Sequence, residues 1–126
     1  MKIINNNDVT QVLSMAECIA VQEKAFIGIS EYGAVHRPRV DLYYPAKDPR
    51  SYFRWGSMEG ASSQYFAIRM KSDIVSWPKA CNGEWTEKKF CIEPGTYCGL
   101  IFLLSTQNGE PLAFINDGVP VSYTHL

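Results

Sequence analysis

The segment from Gly99 to Ile115 constrains this chain more than any other. Leu100-Ile101-Phe102-Leu103-Leu104 is apolar at every position, which is the pattern of a strand buried on both faces. Asn108-Gly109 follows, with residues that accept the positive φ angles of a tight type I′ turn. Leu112-Ala113-Phe114-Ile115 then returns as the partner strand. Pro111 lacks an N–H donor and belongs at the first position of that strand. The chain has 126 residues. That is the size of one domain, since domains most often hold ~100–150 residues. It leaves room for a core but not for a full dinucleotide-binding domain beside it.

Upstream, Lys2 to Asn5 reads as a short strand. Asn7 or Asp8 opens a first helical turn, Asp8 with Gln11 having capping-box spacing, and Ser14-Met15-Ala16-Glu17 is a clearer capping box. Ala16, Ile19, Ala20, Glu23, Phe26 and Ile27 keep helical spacing after it, so one helix is expected from Met15 to Tyr32. Gly33 is placed to end that helix in the left-handed conformation. Pro38 stops further helix. Arg39 to Tyr44 alternates as a strand, Pro45 to Arg50 is a loop, and Ser51 to Trp55 and Tyr65 to Ile74 are further strands. Gly56 and Gly60 are read as breaks between those two. Trp77 to Pro94 is polar, with an Asn82-Gly83 turn and a solvated face of Glu84, Glu87, Lys88, Lys89 and Glu93. The order is strand, helix, then mostly strands. The expected class is therefore α+β: a helix packed on a mostly antiparallel or mixed sheet with a terminal hairpin.

Composition removes several functions. The apolar fraction is 46% and the formal net charge is -1, which excludes a disordered chain. The same balance argues against nucleic-acid binding, which needs excess Lys and Arg. No run approaches the ~20 apolar residues that cross a bilayer, and Met1 to Asp8 has no apolar stretch typical of a secretory leader. The four cysteines, Cys18, Cys81, Cys91 and Cys98, allow two disulfides, but without a leader they read as free thiols in a reducing cytoplasm. No CxxC spacing occurs and His36 lies far from His125, so no metal site is expected. No P-loop, GxGxxG or nucleophile elbow is present either.

What stands out is a scatter of cations beside strand signals: Arg37, Arg39, Arg54, Arg69 and Lys71. On a period-two strand Arg69 and Lys71 share a face. Facing solvent, they are ordinary surface charge. Facing a pocket, they need an anion or a carboxylate to be tolerated, and Arg grips a carboxylate with two parallel hydrogen bonds. Asp41 and Asp73 are available to pair with nearby cations. Thr96 stands just before the apolar strand, either satisfying backbone or donating to an anion. Trp55, Trp77, Tyr43, Tyr44 and Phe53 are read as core.

These residues together resemble the N-terminal part of the ornithine cyclodeaminase/mu-crystallin family. The likeness runs over residues 1–119. It is carried by the opening strand, the helix with Ala25-Phe26 and Gly33, and His36-Arg37-Pro38-Arg39. Ala67-Ile68-Arg69-Met70-Lys71 carries it too, as does the hairpin from Gly99 to Gly118 with Gly109-Glu110-Pro111-Leu112-Ala113. Arg54-Trp55-Gly56-Ser57-Met58-Glu59-Gly60 and Asn116-Asp117-Gly118 look like a branch known both as ornithine cyclodeaminase and as a tyramine oxidase accessory subunit.

The resemblance implies an α/β substrate-binding and dimerisation domain, followed in the family by a Rossmann domain for NAD. It implies an NAD-dependent cyclodeaminase converting ornithine to proline with ammonia release, or an amino-acid dehydrogenase or imine reductase, working by hydride transfer at an amino-acid α-carbon as a homodimer. It places carboxylate-binding residues at Arg39 and Lys71, with Arg69 competing for the place of Lys71, and a substrate-side threonine at Thr96. It assigns no catalytic, cofactor-binding or metal residue to this stretch, so NAD is expected for a full-length protein and not for this chain alone. The 25 positions from Lys71 to Thr96 (96 minus 71) mark Cys81 to Glu93 as an insertion. A further family arginine falls near Thr124, where the sequence departs from the pattern, and residues 120–126 are expected to be a non-native tail. The alternative reading is a stand-alone or accessory small-ligand-binding subunit without catalysis of its own.

Overall fold

The computed structural model describes residues 1–31, 33–93, 96 and 98–119. The chain runs β1 (Lys2–Ile4), α1 (Asn6–Val12), α2 (Met15–Ser30), β2 (Ala34–Pro45), β3 (Ser51–Ser62), β4 (Tyr65–Ser76), β5 (Lys88–Phe90), β6 (Gly99–Ser105) and β7 (Pro111–Asn116). The seven strands form one sheet in the order β1-β7-β6-β4-β3-β2, with β5 beside the far end of β4. β1 joins β7 in parallel while the other pairs are antiparallel. The sheet is thus mixed, and the α+β expectation agrees with it. The expected tail 120–126 and the position near Thr124 lie outside the described residues.

Local chemistry explains most boundaries, and corrects several expectations. The first helix is capped by Asn5, not Asp8. Asn5 Oδ1 accepts from the Asp8 N–H at 3.1 Å, and Asp8 Oδ2 accepts from the Asn5 N–H at 2.9 Å. The Ser14 and Glu17 box opens α2 as expected. That helix ends at Ser30 with Glu31 as its cap. Gly33 is not left-handed; its N–H closes the end by donating to the Gly28 carbonyl at 2.7 Å. Gly28 lies so near Ala34 that an added Cβ would meet the alanine methyl at 3.4 Å. There the helix approaches the sheet.

β2 begins before Pro38 and runs through it, with a register shift between Arg37 and Val40. The strand tolerates that proline because it is an edge strand. Gly56 and Gly60 do not break the chain; both sit inside the 12-residue β3. The β6–β7 connection is not type I′. Among its residues only Gly109 has positive φ, 75°, and the Glu110 N–H is held by Asn108 Oδ1 at 3.1 Å. Side-chain hydrogen bonding thus shaped a longer turn than the Asn-Gly pair suggested.

The core is thin. Val9, Val75 and Ala113 are its buried apolar residues. The expected core aromatics Trp55, Trp77, Tyr43 and Tyr44 are instead 38–68% exposed, and β6 is only half-buried beyond Gly99. Among the described residues these aromatic side chains lie on both faces of the sheet and stay open to solvent. Cys91 and Cys98 form a disulfide with Cα atoms 5.7 Å apart, whereas Cys18 and Cys81 are free. The free-thiol expectation therefore fails for that pair, because β5 and the start of β6 bring both residues to the same end of β4. Among the described residues no helix is long and apolar enough to cross a membrane.

Candidate functional site

Directly opposed residues of antiparallel strands share a face, so the register draws rows across the sheet. One row reads Asp41, Gly56, Lys71 and Gly99 on β2, β3, β4 and β6. Arg69 and Asp73 flank Lys71 on the same face of β4. The next row joins Tyr43, Arg54 and Asp73.

The two glycines make this face possible. A Cβ on Gly56 would run into the Asp41 carboxylate and the Arg39 guanidinium. A Cβ on Gly99 would run into the Asp117 carboxylate. Both glycines therefore leave space into which ion pairs lean from neighbouring strands. Arg39 Nε donates to Asp41 Oδ1 at 2.6 Å, and Arg69 Nε donates to Asp117 Oδ2 at 2.7 Å. Arg54 and Asp73 form a buried two-bond pair at 2.8 and 2.6 Å. Lys71 Nζ stands 3.4 Å from Asp73 Oδ2, and Glu87 reaches Arg54 at 3.5 Å.

The charges on this face settle one another. Burial pushes the Asp73 carboxyl up, but the hydrogen bonds and charges of Arg54 and Lys71 outweigh it and hold the group below its ordinary value. The Asp73 hydrogen bond drives Arg54 the opposite way, further above its ordinary value, with a smaller contribution from Tyr43. The hydrogen bond from Lys89 holds Glu87 down. Glu87 is thus part of the network and not merely solvated face. Asp41 and Asp73 pair with cations as the sequence suggested. Arg69 and Lys71 share the face, with Asp117 and Asp73 as the carboxylates that like charges require.

A groove of about 440 Å³ opens on this face between β2 and β4. Arg39 and Arg69 both line it, with His36, Met58 and Ile101. Lys71 and Thr96 do not line it. Lys71 is one row away, turned to Asp73. Thr96 is tied through its carbonyl, which accepts from Asn116 Nδ2 at 2.6 Å. The structure thus sets Arg39 and Arg69 along one groove, with Lys71 one row away and Thr96 outside it. Gly56, Gly99, Arg54 and Asp117 carry the geometry, and of these only Arg54 stands out in the sequence, as a cation beside a strand. A glycine inside a strand is the signal that marks such close approach. Among the described residues no cluster of metal-binding side chains occurs.

The sequence matches no protein-family model and no curated protein. Solved structures do resemble the fold. An archaeal alanine dehydrogenase dimer with bound NAD aligns with a TM-score of 0.65 at 17% identity, over 98% of this chain and 33% of its own. A probable ornithine cyclodeaminase from Bordetella pertussis Tohama I gives 0.67 at 14% identity, over 98% and 32%. The Δ1-pyrroline-2-carboxylate reductase of Thermococcus litoralis, in complex with NADH and L-proline, gives 0.63 at 17%, over 98% and 34%. At these identities the likeness is one of fold, and this chain spans about a third of each neighbour's length.

Proposed function

We propose that this chain is the substrate-binding part of an NAD-dependent amino-acid dehydrogenase or cyclodeaminase-like enzyme, and that it holds the substrate's α-carboxylate. The observation that carries this reading is the placing of Arg39 and Arg69 along one groove, on a fold that such enzymes also adopt over a third of their length. An amino-acid carboxylate in the groove exchanges with Asp41 and Asp117 for the two guanidinium groups, each suited to two parallel bonds. Lys71 supplies the neighbouring positive charge, positioned by Asp73. Thr96 contributes its hydroxyl from the start of β6.

The dinucleotide belongs, in this reading, to the longer protein. The turn from β1 to α1 does not fit a pyrophosphate. It contains no glycine, the Asn5 side chain already takes the Asp8 N–H, and the Asp8 carboxylate faces the same helix end. The proposal includes a cytoplasmic homodimer, for which the exposed apolar side chains Val40, Leu42 and Tyr44 offer a surface.

Steady-state kinetics on the full-length protein that carries this chain test the reading. It either reduces NAD with an L-amino acid or, with the hydride returned to the product, releases ammonia from one without net NAD reduction, and Arg39→Gln raises KM about tenfold or more with a smaller change in kcat. Unchanged kcat/KM in Arg39→Gln, or a gene product no longer than this chain, contradicts it.

A further inference from the structure

The segment between β4 and β5 builds a second cavity, apart from the groove of Arg39 and Arg69. Residues 78–86 close on themselves. The Thr86 N–H and hydroxyl both reach the Pro78 carbonyl, at 3.0 and 3.1 Å. The Ala80 N–H donates to Glu84 O at 2.7 Å, and Lys79 bridges to Trp85. Gly83 turns the tip at φ 82°. The loop's own backbone bonds therefore hold its shape. Facing it is the β2–β3 turn, braced by the Ser51 N–H donating to Asp48 O at 2.9 Å.

Between them lies a cavity of about 620 Å³ whose lining includes Asp48, Arg50, Trp77, Lys79, Trp85 and Lys88. Asp48 is already satisfied. The Arg50 N–H donates to it at 3.0 Å and the guanidinium at 3.4 Å, and these bonds hold its carboxyl below the ordinary value. Lys79 and Lys88 are then cations in excess of carboxylates. The lining also carries two indoles. Trp77 sits between Tyr43 and Tyr52, at ring-centroid distances of 6.3 and 6.1 Å. Lys79 Nζ stands 5.1 Å from the centre of the Trp85 ring.

We propose that this cavity binds a small planar aromatic carboxylate. The ring packs against the indoles, and the carboxylate takes hydrogen bonds from Lys79 and Lys88. A zwitterionic amino acid is disfavoured, because its ammonium meets the same two lysines. The site is thus of a different class from the groove on β2 and β4.

The three tryptophans make the test internal. Trp77 and Trp85 line the cavity, whereas Trp55 opposes Leu42 and Ser72 on the other face of the sheet. The chain is titrated with benzoate, acetate and benzylamine while the three indole N–H resonances are followed. Benzoate shifts Trp77 and Trp85 saturably and leaves Trp55 in place. Acetate binds about tenfold more weakly or worse. Lys79→Gln with Lys88→Gln weakens benzoate about tenfold, with an unchanged circular dichroism spectrum, and Lys88→Gln alone serves if the double variant unfolds. L-Proline does not displace benzoate. The proposal is overturned by any of four results: no saturable shift, an equal response to acetate or benzylamine, full affinity in the lysine variants, or displacement by L-proline.

Discussion

On the Lys71 face of the sheet, Arg39, Arg54, Arg69 and Lys71 each have a carboxylate within 3.4 Å. On the opposite face the same strands carry Val40, Leu42, Tyr44 and Trp55, which are 39–68% exposed. Strand alternation lets one set of residues build both surfaces. The charged face fixes register, because a slip of one residue would move the pairs of Arg39, Arg54, Arg69 and Lys71 to the other side. The opposite face offers apolar area and carries the Arg37–Glu59 ion pair towards one end. In the proposed function the first face takes a carboxylate and the second another protein surface.

The contrast breaks most sharply at Asp73. Asp73→Ala leaves Arg54 buried without its main partner and destabilises the fold by about 3–5 kcal/mol in urea unfolding. Arg54→Met combined with Asp73→Leu recovers most of that loss. A double variant that loses as much as the two single changes added together would mean that the pair is not coupled. Gly99→Ala comes next. Its methyl enters the space of the Asp117 carboxylate and costs about 1–3 kcal/mol. Adding Asp117→Ala makes the two changes less than additive.

A smaller effect follows from pH. The ordinary carboxyl value of Asp73 is 3.8 and its folded value lies below that. Its stabilising contribution is therefore complete above the ordinary value and is lost as pH falls through the folded one. The urea midpoint drops on acidification in this window, and Asp73→Asn flattens that part of the drop. The smallest effect on folding is expected from the other face. Leu42→Glu, at a position 58% exposed, changes stability by less than about 0.5 kcal/mol. In sedimentation it lowers self-association. Unchanged self-association removes this face from the proposed dimer.

Features governed by neighbouring residues were legible in the sequence. Period two put Arg69 and Lys71 on one face, Ser14 and Glu17 marked the start of α2, and Asp41 and Asp73 were recognisable partners for cations. Features set by distant chain were not. Gly56 reads as a break until Arg39 and Asp41 are seen over it. Asp117 meets Arg69 across 48 positions of sequence, which no local pattern encodes. The aromatic residues of β2 and β3 look like core because composition does not reveal whether a sheet face is covered. Thr96 reads as a hydroxyl that serves backbone or an anion, and the structure shows its carbonyl accepting from Asn116 Nδ2.

The most direct test of the carboxylate reading follows the guanidinium Nε–H resonances of Arg39 and Arg69 while L-proline or L-alanine is added, with the matching amino alcohols as controls. The account predicts saturable shifts at both arginines with the amino acids and none with the alcohols. Equal shifts with acid and alcohol, or no shift at either arginine, would contradict it.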